Sequence, residues 1–446
     1  MQQRHVRTDH YPSRLDRGAR LRARCAALAI LCIAPAFVCR PVAADEDADL
    51  QLFAAEHYAQ VHRVAAAEAL RRLAIQDQAA GLDDELSKLL GNQYAGIWFD
   101  ADDQGRVKVG IIPGAAGQAA SVRRIAYSYG LSSMTDLVSV RYSEGELQEL
   151  QDSARRSLDD LIASGHASTA YNTKSNAVVI TAPVRLPSSE EARIQSLARN
   201  AWVRVRRVAV PSLVGQYDTC NITYCNPPIR GGRGISIATT GNCTAGFVGL
   251  SRTVFNDMWM LTAGHCIFFG GATWNAKDES GTWSLLGNTS FYSFAGGPGL
   301  DAGIIHLDTG SFWLAPPPIA ALIVKVSANT TYDPTYAIHS TAFSSIGQMI
   351  CRTGQTTGTE CGEVTDLGAD FTGSAGGSPS YTTHNLGEVD ICGAQGGDSG
   401  GPMYKVHRAF GLFNASMSFG PAFCHEYYQG VRGAENAMGV GVLTAP

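Results

Sequence analysis

A serine set among glycines, a histidine followed at once by a cysteine, and an aspartate opening an apolar run occur in this chain in an order that suits acyl transfer. The serine is Ser399, in Gly396-Gly397-Asp398-Ser399-Gly400-Gly401-Pro402. Its hydroxyl is a poor nucleophile at neutral pH and needs a base to take its proton and donors to hold the oxyanion that forms. Small residues on both sides let the backbone turn tightly, so that the N–H groups of Gly397 and Ser399 face one point. The base is upstream, His265, in Leu261-Thr262-Ala263-Gly264-His265-Cys266. Between the two, Asp301 opens the run Ala302-Gly303-Ile304-Ile305-His306-Leu307, which reads as a buried strand. A carboxylate there can fix the histidine tautomer and stabilise the imidazolium. Asp308 is the alternative acid, but it stands at the far end of that strand before Thr-Gly, where a turn residue is expected.

Positioning three such groups requires a rigid frame, and the composition describes one. The chain has 446 residues, enough for two or three domains, with 48 glycines, only 17% charged residues and a formal net charge of -5. Nothing in that balance points to nucleic acid. Arginines between Arg4 and Arg24 precede an apolar run from Cys25 to Val38, then small residues at Val42-Ala43-Ala44. This reads as an export signal over residues 1–44; the apolar run is shorter than the ~20 residues needed to span a bilayer. No membrane association is expected once it is removed.

Residues 45–212 form a cysteine-free segment that carries most of the charge. Asp45 to Leu90 has helical periodicity, and Tyr94–Asp100 with Arg106–Ile111 reads as a hairpin. Ser143 and Glu146 have capping-box spacing at the head of another helix. Strands are expected around Val178-Val179-Ile180 and Trp202 to Val210, with a helix between them at Glu190–Ala198. The texture changes after Val210-Pro211-Ser212. Residues 213–446 are rich in Gly, Ser, Thr and short β-branched runs, which implies an all-β antiparallel barrel or sandwich. Ala434–Val442 is left as a short helix or a strand.

Eight cysteines follow residue 44: Cys220, Cys225, Cys243, Cys266, Cys351, Cys361, Cys392 and Cys424. An even number in an exported chain reads as a disulfide set, and spacing alone does not choose its pairing. No metal-ligand spacing occurs, and no cofactor or metal is expected.

The His265, Asp301 and Ser399 segments resemble the chymotrypsin-like serine endopeptidases. Pro228-Ile229-Arg230-Gly231-Gly232, Cys243-Thr244-Ala245-Gly246-Phe247 and Cys351-Arg352-Thr353-Gly354 followed by Thr356-Thr357-Gly358 are similar to the streptogrisin and α-lytic protease branch. So is the Ala-Gly-Ile-Trp-Phe-Asp hairpin of the N-terminal half. The resemblance implies two six-stranded antiparallel β-barrels of the trypsin type, preceded by an α+β pro-region. That pro-region would assist folding as an intramolecular chaperone and then inhibit. It also implies catalysis by His265, Asp301 and Ser399, with Gly397 and Ser399 as oxyanion donors. The disulfides it implies are Cys243–Cys266, Cys351–Cys361 and Cys392–Cys424, which leaves Cys220 to Cys225. The expected product is a secreted, monomeric endopeptidase acting on proteins or peptides.

Specificity is read less sharply. Asp390, two residues before Cys392, stands where a trypsin-like pocket carries its acid, but Gly393-Ala394-Gln395-Gly396 is longer than the trypsin spacing. An apolar preference is the alternative. Ser416 and Met417 are candidate pocket residues on the opposite wall. Three other readings of the chain remain: an N-terminal domain kept for adhesion or substrate capture, a non-catalytic binding protein on the same scaffold, and an esterase.

Overall fold

The computed structural model describes residues 46–445 except 164–165, 185, 209–226, 238–240, 255–256, 278–281, 295–298, 308–311, 315–320, 326–331, 374–380 and 419–423. The expected export signal, Asp308, Cys220, Cys225 and residues 209–226 lie outside the described residues. Among those described, no helix is long and apolar enough to cross a membrane.

The N-terminal half is α+β. Helices α1 (Glu46–His62), α2 (Ala66–Gln78) and α3 (Leu82–Leu90) lead into strands β1 (Tyr94–Asp100) and β2 (Arg106–Ile111). Helix α4 (Ala119–Ser128) and strand β3 (Thr135–Ser139) complete a three-stranded sheet. Leu82, Leu86 and Leu90 recur at four-residue steps and bury one face of α3 against Ile97, Val107 and Val109 of that sheet. Helix α5 (Glu144–Ser157) begins with the expected capping box. The Glu146 N–H donates to Ser143 Oγ, and the Ser143 N–H donates to Glu146 Oε2. After α6 (Asp159–Ala163) come β4 (Ser168–Asn172), β5 (Ala177–Pro183), α7 (Ser188–Ala198) and β6 (Val203–Val208).

The C-terminal half is built from β-strands. Its first sheet contains β7 (Gly234–Ile237), β8 (Gly241–Thr244), β9 (Val248–Ser251), β10 (Met258–Thr262), β11 (Thr273–Lys277), β12 (Trp283–Ser293) and β13 (Ala302–Leu307), with helix α8 (Gly264–Phe269) after β10. A two-stranded ribbon, β14 (Ala321–Lys325) and β15 (Tyr332–Ala337), and the short β16 (Ser340–Thr341) connect to the second sheet. That sheet holds β17 (Met349–Gly354), β18 (Gly358–Gly373), β19 (Tyr381–Val389), β20 (Pro402–Lys405), β21 (Arg408–Ser418) and β22 (Cys424–Gly430). Its order is β17-β20-β21-β22-β19-β18, and a β17–β18 pairing closes the ring into a six-stranded antiparallel barrel. The chain ends with helix α9 (Val431–Met438) and strand β23 (Val440–Val442), so the final segment is both helix and strand.

The first sheet is larger than six strands. Its path has eight, because β8 folds back on β7 at one end and β23 adds to β9 at the other. Each barrel packs its own interior: Ile235, Met260, Trp274, Ile305 and Trp313 in the first, and Ile350, Val364, Val389, Met403 and Phe413 in the second.

The two halves are one compact unit from residue 45 onward. Strand β4 pairs with β18 through Tyr171 and Leu367, so a three-stranded sheet of the N-terminal half extends the second barrel. Charge reinforces the seam. Arg206 reaches the buried carboxylates of Asp366 and Glu388, and Arg155 donates to that of Asp370. Gln76 donates to the Gly347 carbonyl and accepts the Met349 N–H, each at 2.9 Å.

Between the halves lies a cavity of about 620 Å³ whose walls include Asp83, Glu144, Tyr171, Leu300 and Tyr428. The Glu144 carboxyl takes the Tyr171 hydroxyl at 3.0 Å. Burial, with the nearby charge of Asp83, pushes it up to about 7. A carboxyl raised in the folded chain gives stability that is complete below the ordinary glutamate range and is lost as pH rises through about 7. The Ser399→Ala full-length chain should therefore show a lower urea midpoint at pH 8 than at pH 6, and Glu144→Gln should reduce that difference. An unchanged difference would mean that another group controls it.

Candidate active site

Strands β10 and β13 run antiparallel, with Thr262 opposite Gly303, so the end of one meets the start of the other. His265 lies three residues beyond Thr262 and Asp301 immediately before Ala302, which brings both side chains to the same edge. Gly264 lets them approach, since a Cβ there would lie 2.3 Å from the Ser293 carbonyl oxygen. The Asp301 carboxylate then accepts twice from one residue. The His265 backbone N–H donates to Oδ1 at 2.8 Å, and His265 Nδ1 donates to Oδ2 at 2.8 Å. With the proton on Nδ1, Nε2 keeps its lone pair. His265 is 8% exposed and Asp301 2%, so the pair works largely out of water.

Two residues that the sequence reading left without a role hold Asp301 in place. The Gln429 side chain accepts the Asp301 N–H at 3.1 Å, and the Asn414 side chain donates to the Asp301 carbonyl at 2.8 Å. Asn414 also accepts the Gln429 N–H. Both side chains are buried. No local pattern marks them, because their role follows from the pairing of β21 with β22.

Ser399 sits in the turn between Gly396 and Gly401. Gly397 has φ +104°, and a Cβ there would lie 2.7 Å from Thr356 Oγ1, so only glycine fits. The Gly397 carbonyl accepts from Thr244 Oγ1 at 2.7 Å and from the Gln355 side chain at 3.1 Å. The Gly396 carbonyl, on the same peptide as the Gly397 N–H, accepts from Thr356 Oγ1 at 2.9 Å. Among the described residues, neither the Gly397 nor the Ser399 N–H has an acceptor. The Asp398 carboxylate anchors the turn from behind by accepting the N–H groups of Gln395, Thr356 and Thr357 and the Thr357 hydroxyl.

Ser399 and His265 are tied through their neighbours. The Ser399 carbonyl accepts the Thr244 N–H at 2.7 Å and lies 3.7 Å from Cys266 Sγ, and Cys266 is disulfide-bonded to Cys243. The Ser399 hydroxyl is 3.5 Å from the Asn414 carbonyl oxygen and is not hydrogen-bonded to the imidazole. Contacts between a nucleophile and its base commonly tighten only with substrate bound. Phe294 and Tyr381 stand 5.9 and 6.4 Å from the imidazole, ring centre to ring centre.

Two further disulfides are present, Cys351–Cys361 across β17 and β18 and Cys392–Cys424 beside the serine loop. The remaining pocket candidates lie at different depths. The Asp390 carboxylate accepts the Glu363 N–H, and burial raises its pKa. Ser416 is exposed on β21, opposite Glu426 on β22. Met417 packs against the cluster of Ala170, Ala369, Leu386 and Tyr427.

Residues 67–125 match the family described as the alpha-lytic protease pro N-terminal domain. Serine protease 2 of Streptomyces fradiae is 34% identical over 185 residues, covering 41% of this chain and 92% of that protein. Glutamyl endopeptidase 2 of Streptomyces griseus is 30% identical over 200 residues, 45% of this chain and 92% of that one. Among solved structures, a glutamic acid specific serine protease described as using a histidine triad in substrate binding is 28% identical. It aligns over 48% of this chain and 100% of its own, with a TM-score of 0.38.

Proposed function

Because this chain belongs to the streptogrisin and α-lytic protease branch of the chymotrypsin-like serine endopeptidases, we propose that it hydrolyses peptide bonds through His265, Asp301 and Ser399. The observation that carries this is the double hydrogen bond from His265 to Asp301, with the Ser399 backbone pinned beside Cys266.

His265 Nε2 takes the Ser399 proton as Oγ forms a bond to the substrate carbonyl carbon. The electron pair of the carbonyl π bond moves to its oxygen, which the Gly397 and Ser399 N–H groups receive. Donors of this kind contribute about 3–4 kcal/mol each in comparable sites. The imidazolium, held by Asp301, gives its proton to the leaving nitrogen as the C–N bond breaks, and an ester to Ser399 remains. Water, deprotonated by His265, attacks that ester; cleavage of the C–O bond returns the proton to Ser399 and releases the acid.

In this reading residues 1–44 direct export and are removed. Residues 45–212 are a pro-region that assists folding and blocks the enzyme. Residues 213–446 are the mature, secreted and monomeric protease, with Cys220 bonded to Cys225. The interlocked halves support a pro-region with both roles. The uncleaved chain should mature itself, and Ser399→Ala should leave it uncleaved and folded, with peptide hydrolysis reduced about 10⁶-fold. Undiminished hydrolysis by that variant would end the assignment.

A further inference from the structure

In the triad reading, the residue whose carbonyl is attacked places its side chain between the two stretches of chain that flank Ser399. One is the loop from Cys392 to Asp398. The other is β21 from Asn414 onward, whose carbonyl at 414 lies 3.5 Å from the Ser399 hydroxyl. One carboxylate reaches both. Glu426 stands directly opposite Ser416 across the β21–β22 pair, and its Oε1 accepts the Ala394 N–H of the loop at 3.2 Å. The Cys392–Cys424 disulfide ties that loop to β22, the strand that carries Glu426.

Glu426 is fully buried and does not stand alone. Arg352, also fully buried, donates Nε to Glu426 Oε2 at 2.7 Å and Nη2 to Oε1 at 3.3 Å. Its Nη1 donates to Thr357 Oγ1 at 2.9 Å and faces Asp398 at 3.4 Å, while Nη2 faces Glu360 at 3.4 Å. Every donor group of the guanidinium is engaged, and Glu426 accepts three hydrogen bonds, two at Oε1 and one at Oε2. Burial pushes the Glu426 carboxyl up, while Arg352 pulls it down.

Resting on the triad reading above, we infer that Glu426, neutralised by Arg352, is the floor of the pocket for the residue before the scissile bond and selects uncharged side chains. A lysine or arginine would meet a carboxylate whose charge Arg352 already balances, with the fixed guanidinium beside it. An aspartate or glutamate would meet Glu426 in the place where its own carboxylate would have to bind. Either would bury a charge that the Glu426–Arg352 pair does not balance, which is strongly unfavourable. Specificity here is set by a compensated charge, and removing half of it should change the preference.

The test uses the matured full-length product, titrated with a serine-directed phosphonate and profiled on peptides varied at the residue before the cleaved bond. The wild type should cleave after uncharged residues at least about tenfold faster than after Arg, Lys, Asp or Glu. Glu426→Ala should raise the preference for Glu over Ala by at least about tenfold, because the substrate carboxylate can occupy the vacated place on Arg352 and the Ala394 N–H. Glu426→Gln, nearly isosteric, keeps an acceptor for Ala394 and should move the same way if Glu426→Ala does not fold. A titratable wild-type enzyme that favours Arg, Lys, Asp or Glu overturns the inference and spares the triad. So does a titratable variant that keeps the wild-type profile. An enzyme with no titratable serine overturns the triad reading itself.

Discussion

Asp301→Asn should lower kcat by about 10⁴ near neutral pH while leaving KM and folding close to the wild type, as the same change does in comparable triads. The amide has nearly the same shape as the carboxylate and can still accept the His265 backbone N–H that Oδ1 takes at 2.8 Å. Its other end would present N–H hydrogens to His265 Nδ1, where Oδ2 now accepts at 2.8 Å. The ring would then carry its proton on Nε2, facing the serine, and could no longer act as a base. The imidazolium would also lose its counter-charge. Because Asn414 and Gln429 grip the main chain of residue 301 and not its carboxylate, the backbone should stay in place. Steady-state kinetics with a peptide amide, together with the folded fraction, checks this. A fall of less than about tenfold would mean that Asp301 does not set the tautomer.

Residues 213–446 refolded alone should recover little activity, and addition of residues 45–212 in trans should restore it. The barrels depend on pairings between strands far apart in sequence, and chains of that kind fold slowly. The pairing of β18 with β19 is where such help would act. It contains three register shifts, and β18 continues into β4 of the N-terminal half through Leu367 and Tyr171. Asp366, Glu388 and Asp370 are buried there, and Arg206 and Arg155 neutralise them from the N-terminal side. Without those arginines the hairpin must form while three carboxylates lack these partners. Equal recovery with and without the N-terminal half would remove the chaperone role and favour a domain kept for another purpose.

Much of this arrangement was legible because it is local. The Ser143 capping box, the Tyr94–Ile111 hairpin and the acid before a buried strand each depend on a few neighbouring residues. The glycines around Ser399 announced their turn for the same reason, since a φ of +104° at position 397 excludes a side chain. What stayed hidden depends on register. Asn414 and Gln429 reach Asp301 only because β21 and β22 pair so that residue 412 faces 429 and residue 416 faces 426. Glu426 reads in the sequence as one more charge near a cysteine. It becomes a buried partner of Arg352 once β22 lies beside β21 and the disulfide draws the serine loop across it. The eight-stranded first sheet was illegible for a similar reason, as β23 completes it from the opposite end of the domain.

The most direct measurement is where a serine-directed phosphonate attaches to the mature enzyme. Peptide mapping should find a single adduct, on Ser399, in step with the loss of peptidase activity. The Ser399→Ala protein should take up none. An adduct on another residue, or full inhibition that leaves Ser399 unmodified, would contradict the account.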